Sequence, residues 1–87
     1  MKIKTDRRFD KNFQKLPKKI QESCVERVKL FMGDRSNPLL RDHALRGSMV
    51  GKRAFSITGD YRVVYKVEGE YAIFMRVGKH ARVYRKF

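Results

Sequence analysis

The sequence predicts an α+β fold in which a two-helix hairpin packs on one face of a small, mainly antiparallel twisted β-sheet, in the order β-α-α-β-β-β-β. Three observations lead there. Apolar residues recur at helical spacing between Phe9 and Phe31, and at every second position between Phe55 and Val77. Proline or glycine stands at the junctions: Pro17, Gly33, Gly59 and Gly69. With 87 residues the chain is expected to form one domain spanning 1–87, and such a domain is stable only marginally unless a partner adds to it.

The elements follow in order. Met1 to Thr5 alternates mildly and reads as a first strand. Asp6 caps a first helix whose apolar stripe is Phe9, Phe13 and Leu16, at i, i+4 and i+7. Pro17 ends it and opens a second helix as its first residue, where the missing N–H costs nothing. Ile20, Cys24, Val28 and Phe31 continue the stripe to Gly33, so Cys24 is expected in the core as a small hydrophobe. Asn37 to Lys52 shows no periodicity and reads as a long loop, of a length that is usually functional or disordered. Three strands then alternate through Phe55 and Ile57, through Tyr61, Val63, Tyr65 and Val67, and through Tyr71, Ile73, Met75 and Val77. Thr58-Gly59 and Glu68-Gly69 supply the hairpin turns, and Val83 to Lys86 is expected to add a short last strand. If the Tyr/Val/Ile/Met set faces the helices, then Ser56, Arg62, Lys66, Phe74 and Arg76 share the opposite face.

Charge narrows the function. There are 22 Lys and Arg against 9 Asp and Glu, a formal net charge of +13. Such a surface calls for a polyanion: nucleic acid, through counterion release, or else an acidic protein or an anionic membrane, unless the charge only keeps the surface solvated. A basic face carrying an aromatic ring suits RNA, because cations hold phosphates while rings stack on bases. Nothing resembles a membrane span or a signal peptide, so the expected location is the cytoplasm. One cysteine excludes an internal disulfide, and two histidines with that cysteine match no zinc spacing, so neither metal nor cofactor is expected.

Three stretches carry a resemblance. His43-Ala44-Leu45-Arg46-Gly47 is similar to an H-x-L-x-G segment, Gly59-Asp60-Tyr61-Arg62-Val63-Val64-Tyr65 to a G-x-Y-R-hydrophobic-hydrophobic-Y strand, and Val77-Gly78-Lys79-His80 with Val83-Tyr84 to a glycine turn that delivers a histidine and then an aromatic. Together, and in this order, they resemble the RelE/ParE toxin superfamily, and most of all the YafQ-type and RelE-type mRNA interferases. The resemblance implies a toxin neutralised by an acidic antitoxin, monomeric when free, that cleaves mRNA in the ribosome without a metal.

On that resemblance His80, His43, Asp60, Arg62 and Tyr84 are the catalytic candidates; Arg76, which rests on strand parity and not on a motif match, joins Lys52, Lys66, Lys79 and Arg82 as RNA-binding candidates. His80 matches the acid or transition-state cation and Tyr84 the base-stacking aromatic, while Arg62 and Arg76 would neutralise the phosphate. The chain departs from the relatives in having Ala54 and Ser56 where they carry an acidic residue and a second histidine. The proton acceptor is left among His43, Asp60 and Lys52. Two other functions remain open: a ParE-like toxin that inhibits DNA gyrase without catalysis, and an inactive relative that binds only antitoxin or nucleic acid.

Overall fold

The computed structural model describes residues 1–84. Strand β1 (Lys2–Thr5) leads into helices α1 (Arg7–Gln14) and α2 (Lys18–Gly33). Strand β2 (His43–Ala44) follows, then β3 (Arg53–Ser56), β4 (Tyr61–Glu68), β5 (Tyr71–Lys79) and a closing helical turn α3 (His80–Val83). The five strands form one sheet in the order β1-β5-β4-β3-β2. It is antiparallel except that β1 runs parallel to β5.

Local chemistry sets the helix ends. The Asp6 carboxylate accepts the Phe9 N–H at 2.8 Å, a side-chain N-cap that satisfies one of the donors a helix start leaves open. Pro17 stands one place earlier than expected, as the N-cap of α2 at φ −54° and ψ 146°. Its carbonyl accepts the Ile20 and Gln21 N–H groups at 2.9 and 3.0 Å. The Gln21 amide donates back to the Phe13 carbonyl at 2.8 Å, tying the end of α1 to the start of α2.

The helical stripes and the sheet close on an aromatic core. Phe31 is the hub, with ring centroids 4.9 Å from Phe55, 5.1 Å from Tyr65 and 5.6 Å from Phe74. Phe9 meets Phe74 at 5.5 Å, and Cys24, Leu40, Ile57, Val63, Ala72 and Val77 complete the cluster. Burying one such side chain stabilises by about 1.5–3 kcal/mol, so this cluster is the main source of stability. Burial also pushes the Cys24 thiol up from 9.0 to about 12, the behaviour expected of a packed, inert cysteine.

Phe74 corrects the expected face assignment. Tyr65 pairs with Phe74, whereas Val64 pairs with Arg76, so Met75 is an extra residue between the two pairs. This β-bulge inverts parity within β5. Ala72 and Phe74 face the helices before it and Val77 faces them after it, while Tyr71, Ile73 and Met75 do not. Arg76 keeps its expected side because the bulge lies just before it.

A second, smaller cluster of Met49, Ala54, Val64 and Val83 sits on the opposite face, with Leu45 and Tyr84 packed against it. It accounts for two further departures. Val83 belongs to a helical turn and not to a strand, since the chain folds back over the sheet after β5; the remainder of that predicted strand, residues 85–86, lies outside the described residues. Buried Gly78 lies under this fold-back, where a Cβ would stand 3.4 Å from the Val83 Cγ1, at van der Waals contact. The long loop is likewise built, with 3₁₀ turns at Pro38–Leu40 and Gly47–Met49 on either side of β2.

Candidate nucleic-acid interface

The sheet face away from α1 and α2 carries most of the predicted site. His43 pairs with Ala54, Ala54 with Val64, and Val64 with Arg76, so these four form one row across β2, β3, β4 and β5. The next row is Ser56, Arg62 and Gly78. Directly opposed residues of antiparallel strands share a face, and Ala54 and Val64 place both rows on the outer one.

His80 enters from the sheet end. It opens α3, and its backbone N–H donates to the Asp60 carbonyl at 2.7 Å, locking the end of β5 to the turn that precedes β4. The side chain of Asp60 is exposed and makes no hydrogen bond among the described residues; the turn is capped instead by the Thr58 hydroxyl, which accepts from the Asp60 and Tyr61 N–H groups at 3.3 Å. One helical turn beyond His80, Tyr84 presents its ring to the imidazole edge-on, with centroids 4.7 Å apart. Burial pushes the Tyr84 phenol up, against a smaller opposing pull from the neighbouring Arg62 guanidinium. The hydroxyl is buried without a hydrogen-bond partner among the described residues.

Arg62 is half-buried and folded over the same turn. Its Nη1 donates to the carbonyls of Thr58, Gly59 and Tyr61 at 2.9, 3.0 and 3.1 Å. Thus Asp60, Arg62, His80 and Tyr84 meet at one sheet corner, through the Asp60 main chain in the first case. Arg76 stands one row away on the neighbouring strand; burial lowers its pKa, Arg8 lowers it further and Asp6 opposes.

His43 flanks the corner from the other edge, exposed, with Nδ1 2.8 Å from the Arg41 carbonyl. A carbonyl can only accept, so Nδ1 carries a proton; in the neutral imidazole the lone pair is then on Nε2. Strand spacing puts the His43 and Arg62 Cα atoms about 12 Å apart. The other candidates scatter. Lys66 lies further along β4, paired with Glu68 at 2.9 Å. Lys79 and Arg82 line a cleft with Asn12, Lys15 and Tyr61, on the far side of α3. Lys52 is half-buried, and its main chain pairs with Leu45 and Met49 to close the loop. Ala54 carries no group that could take a proton, and Ser56, 6% exposed, offers only a hydroxyl, a poor base near neutral pH.

One network escaped the sequence. The Asp42 carboxylate, 6% exposed, takes a short hydrogen bond from the Tyr65 hydroxyl, an ion pair from the Arg53 Nε at 2.9 Å and another from Arg35 at 3.5 Å. It anchors the residue before His43 to the central sheet. Its one visible signal is Tyr65 itself, since a tyrosine on a buried strand requires a partner for its hydroxyl. Among the described residues no group of three His, Cys, Asp or Glu could hold a metal ion. No helix there is long and apolar enough to cross a membrane.

Known proteins share this architecture. The crystal structure of YafQ from E. coli superposes with a TM-score of 0.80 at 21% identity, covering 94% of this chain and 96% of that one. The E. coli DinJ-YafQ toxin-antitoxin complex matches with a TM-score of 0.77 at 22% identity and 94% coverage of both chains. The toxin-antitoxin complex RelBE2 from Mycobacterium tuberculosis matches with a TM-score of 0.69 at 26% identity, covering 91% and 96%. No curated protein matches. The family model described as the bacterial toxin of the type II toxin-antitoxin system, YafQ, matches residues 1–85, and the chain belongs to that family.

Proposed function

We propose that this toxin is a metal-independent endoribonuclease that cleaves mRNA in the ribosome. The observation that carries the reading is the convergence of His80, Tyr84 and Arg62 on one corner of the outer face, with the His43 Nε2 left open across it.

The chemistry needs a base, a charge clamp and an acid. The ribose 2′-OH attacks the adjacent phosphorus, forming the P–O2′ bond and breaking the P–O5′ bond. The 2′ proton goes to the His43 Nε2, and protonated His80 gives a proton to the departing 5′ oxygen. Arg62 and Arg76 offset the added negative charge of the pentavalent phosphate, and Tyr84 holds a base. Asp60 contributes by positioning His80 through its carbonyl. Lys52, Lys66, Lys79 and Arg82 supply long-range attraction for the RNA strand.

The same basic surface fits an acidic antitoxin, in keeping with the two relatives solved in toxin-antitoxin complexes. In this reading the free toxin is a cytoplasmic monomer. One observation favours a non-catalytic relative: β3 is Arg53-Ala54-Phe55-Ser56, so it offers no side chain that is a base near neutral pH.

Expressing the chain in growing bacteria and mapping mRNA 5′ ends by primer extension decides between them. New ends should appear at translated codons, and His80→Ala should lower cleavage about 10²-fold or more. Growth arrest without new ends would point to a binding toxin of the gyrase-inhibiting kind. Neither effect would mark an inactive relative.

A further inference from the structure

Beside the corner lies a cleft of about 320 Å³, lined by Arg27, Arg41, Ser56, Thr58 and Arg62 together with Pro38, Leu39 and Gly59. Three arginines from α2, the loop after Pro38–Leu40 and β4 thus border one space. No carboxylate lines it, and none of the three makes an ion pair among the described residues. Like charges gathered around one opening repel, and an oxyanion between them removes the repulsion.

The guanidinium groups are already oriented. Arg27 donates through Nη1 to the Leu39 carbonyl at 2.6 Å and the Ser56 carbonyl at 3.5 Å, and Arg62 is anchored through its own Nη1 to three carbonyls. In both, the Nη2 and Nε edge makes no hydrogen bond among the described residues, which leaves a planar fork of the kind that grips a phosphate with two bonds.

Arg41 supplies an independent observation. It is the one non-glycine residue with positive φ among the described residues, at +50°. Glycine or asparagine takes that conformation with little strain, whereas an arginine there is uncommon and more costly. Its backbone is occupied, the N–H by the Pro38 carbonyl and the carbonyl by His43 Nδ1, but its side chain is exposed and makes no hydrogen bond among the described residues.

We propose that this cleft is a second phosphate subsite, holding a backbone phosphate of the RNA next to the one that is cleaved. The inference rests on the nuclease reading and deepens it: Arg62 faces both Tyr84 and the cleft, so a strand seated at the corner is handed directly to Arg27 and Arg41. RNA is favoured over an acidic protein by that continuity, since the corner matches a base and a phosphate rather than a carboxylate chain.

The test is fluorescence anisotropy of a labelled single-stranded oligonucleotide carrying a 2′-deoxy nucleotide at the cleavage position, titrated with the full chain over a range of salt concentrations. Arg41→Asn keeps a residue that accepts positive φ and removes the charge; Leu39→Glu places a carboxylate in the cleft at a residue 61% exposed. Each should weaken binding about 10-fold, and Arg41→Asn should reduce the slope of log affinity against log salt by about 0.7, the share of one phosphate on a single strand. Arg27→Lys, which keeps charge but loses the fork, should fall between wild type and Arg41→Asn.

If wild type binds the oligonucleotide and both Arg41→Asn and Leu39→Glu bind it equally well with unchanged slope, the cleft is not a phosphate subsite and the nuclease reading stands. If wild type binds no RNA, both fall. If the variants lose affinity only for an acidic protein partner, the cleft belongs to that partner and the subsite is overturned.

Discussion

Replacing Tyr84 with phenylalanine isolates one atom of the site. Its hydroxyl is buried and has no hydrogen-bond partner among the described residues, while its ring packs against the cluster of Met49, Ala54, Val64 and Val83 and meets His80 edge-on. A hydroxyl taken from water without a partner costs about 1–3 kcal/mol. Tyr84→Phe removes that cost and keeps the ring, so the folded state should gain about 1 kcal/mol. For a domain of this size that is a rise in Tm of about 4–8 °C. The gain should widen at alkaline pH. Burial raises the folded phenol above its ordinary value, so its stabilising contribution is complete below the unfolded value of about 10 and is lost as pH climbs through the folded one. The phenylalanine variant has no such loss. Thermal unfolding at pH 7 and pH 10.5 measures both effects. A Tm at or below wild type would refute the reasoning, because it would mean that the hydroxyl is satisfied in the folded protein.

Asp42→Ala leaves the Tyr65 hydroxyl and the Arg53 guanidinium without their shared acceptor, and breaking a buried pair in this way costs about 3–5 kcal/mol; urea denaturation should show it, and Asp42→Asn should recover part of the loss. Cys24 should resist a thiol reagent at pH 8 in the native protein and react on unfolding. Because its folded pKa is raised from 9.0 to about 12, stability should fall as pH rises above 9, and Cys24→Ala should flatten that part of the profile at the cost of a small cavity. Arg62→Ala should lower cleavage about 10²-fold and also destabilise by about 1–2 kcal/mol, through three lost bonds to the Thr58–Tyr61 turn; a variant with full stability would show that those bonds are exchangeable with water.

How legible the molecule is from sequence depends on the residue. Asp6 before the Phe9, Phe13 and Leu16 stripe marks α1 without ambiguity, and the 2.8 Å cap is its physical counterpart. The glycine turn expected before His80 is strand instead: Gly78 lies within β5, paired with Arg62, and the chain leaves the sheet only at His80. Strand β5 is different. Tyr71-Ala72-Ile73-Phe74-Met75 is apolar at every position, so alternation selects neither face, and a bulge leaves no local signature in such a run. Phe74 consequently reads as an outer ring although it is a core one. Val83 and Tyr84 look like strand residues, but the contact that decides their conformation is with Met49, Ala54 and Val64, distant in sequence. The Asp42 network and the Arg27–Arg41–Arg62 cleft are assembled wholly by tertiary folding, from segments whose own patterns announce only a helix, a loop and a strand.

The parallel pairing of β1 with β5 bears on how the chain reaches this state. Lys2 meets Tyr71 and Thr5 meets Phe74, so β1 takes its place only when residues almost seventy positions apart come together. Its ladder lies on one side only, because β1 is an edge of the sheet. Contacts of such separation form after local ones, since closing the intervening loop costs entropy before any bond offsets it. The β3-β4-β5 meander can assemble first, and β1 then adds to its open edge. Substitutions at Ile3 should therefore speed unfolding with little effect on the folding rate, while substitutions at Val63 or Val77 should slow folding. The earliest structure to form would then carry the Arg62 and Arg76 rows before the first strand is in place.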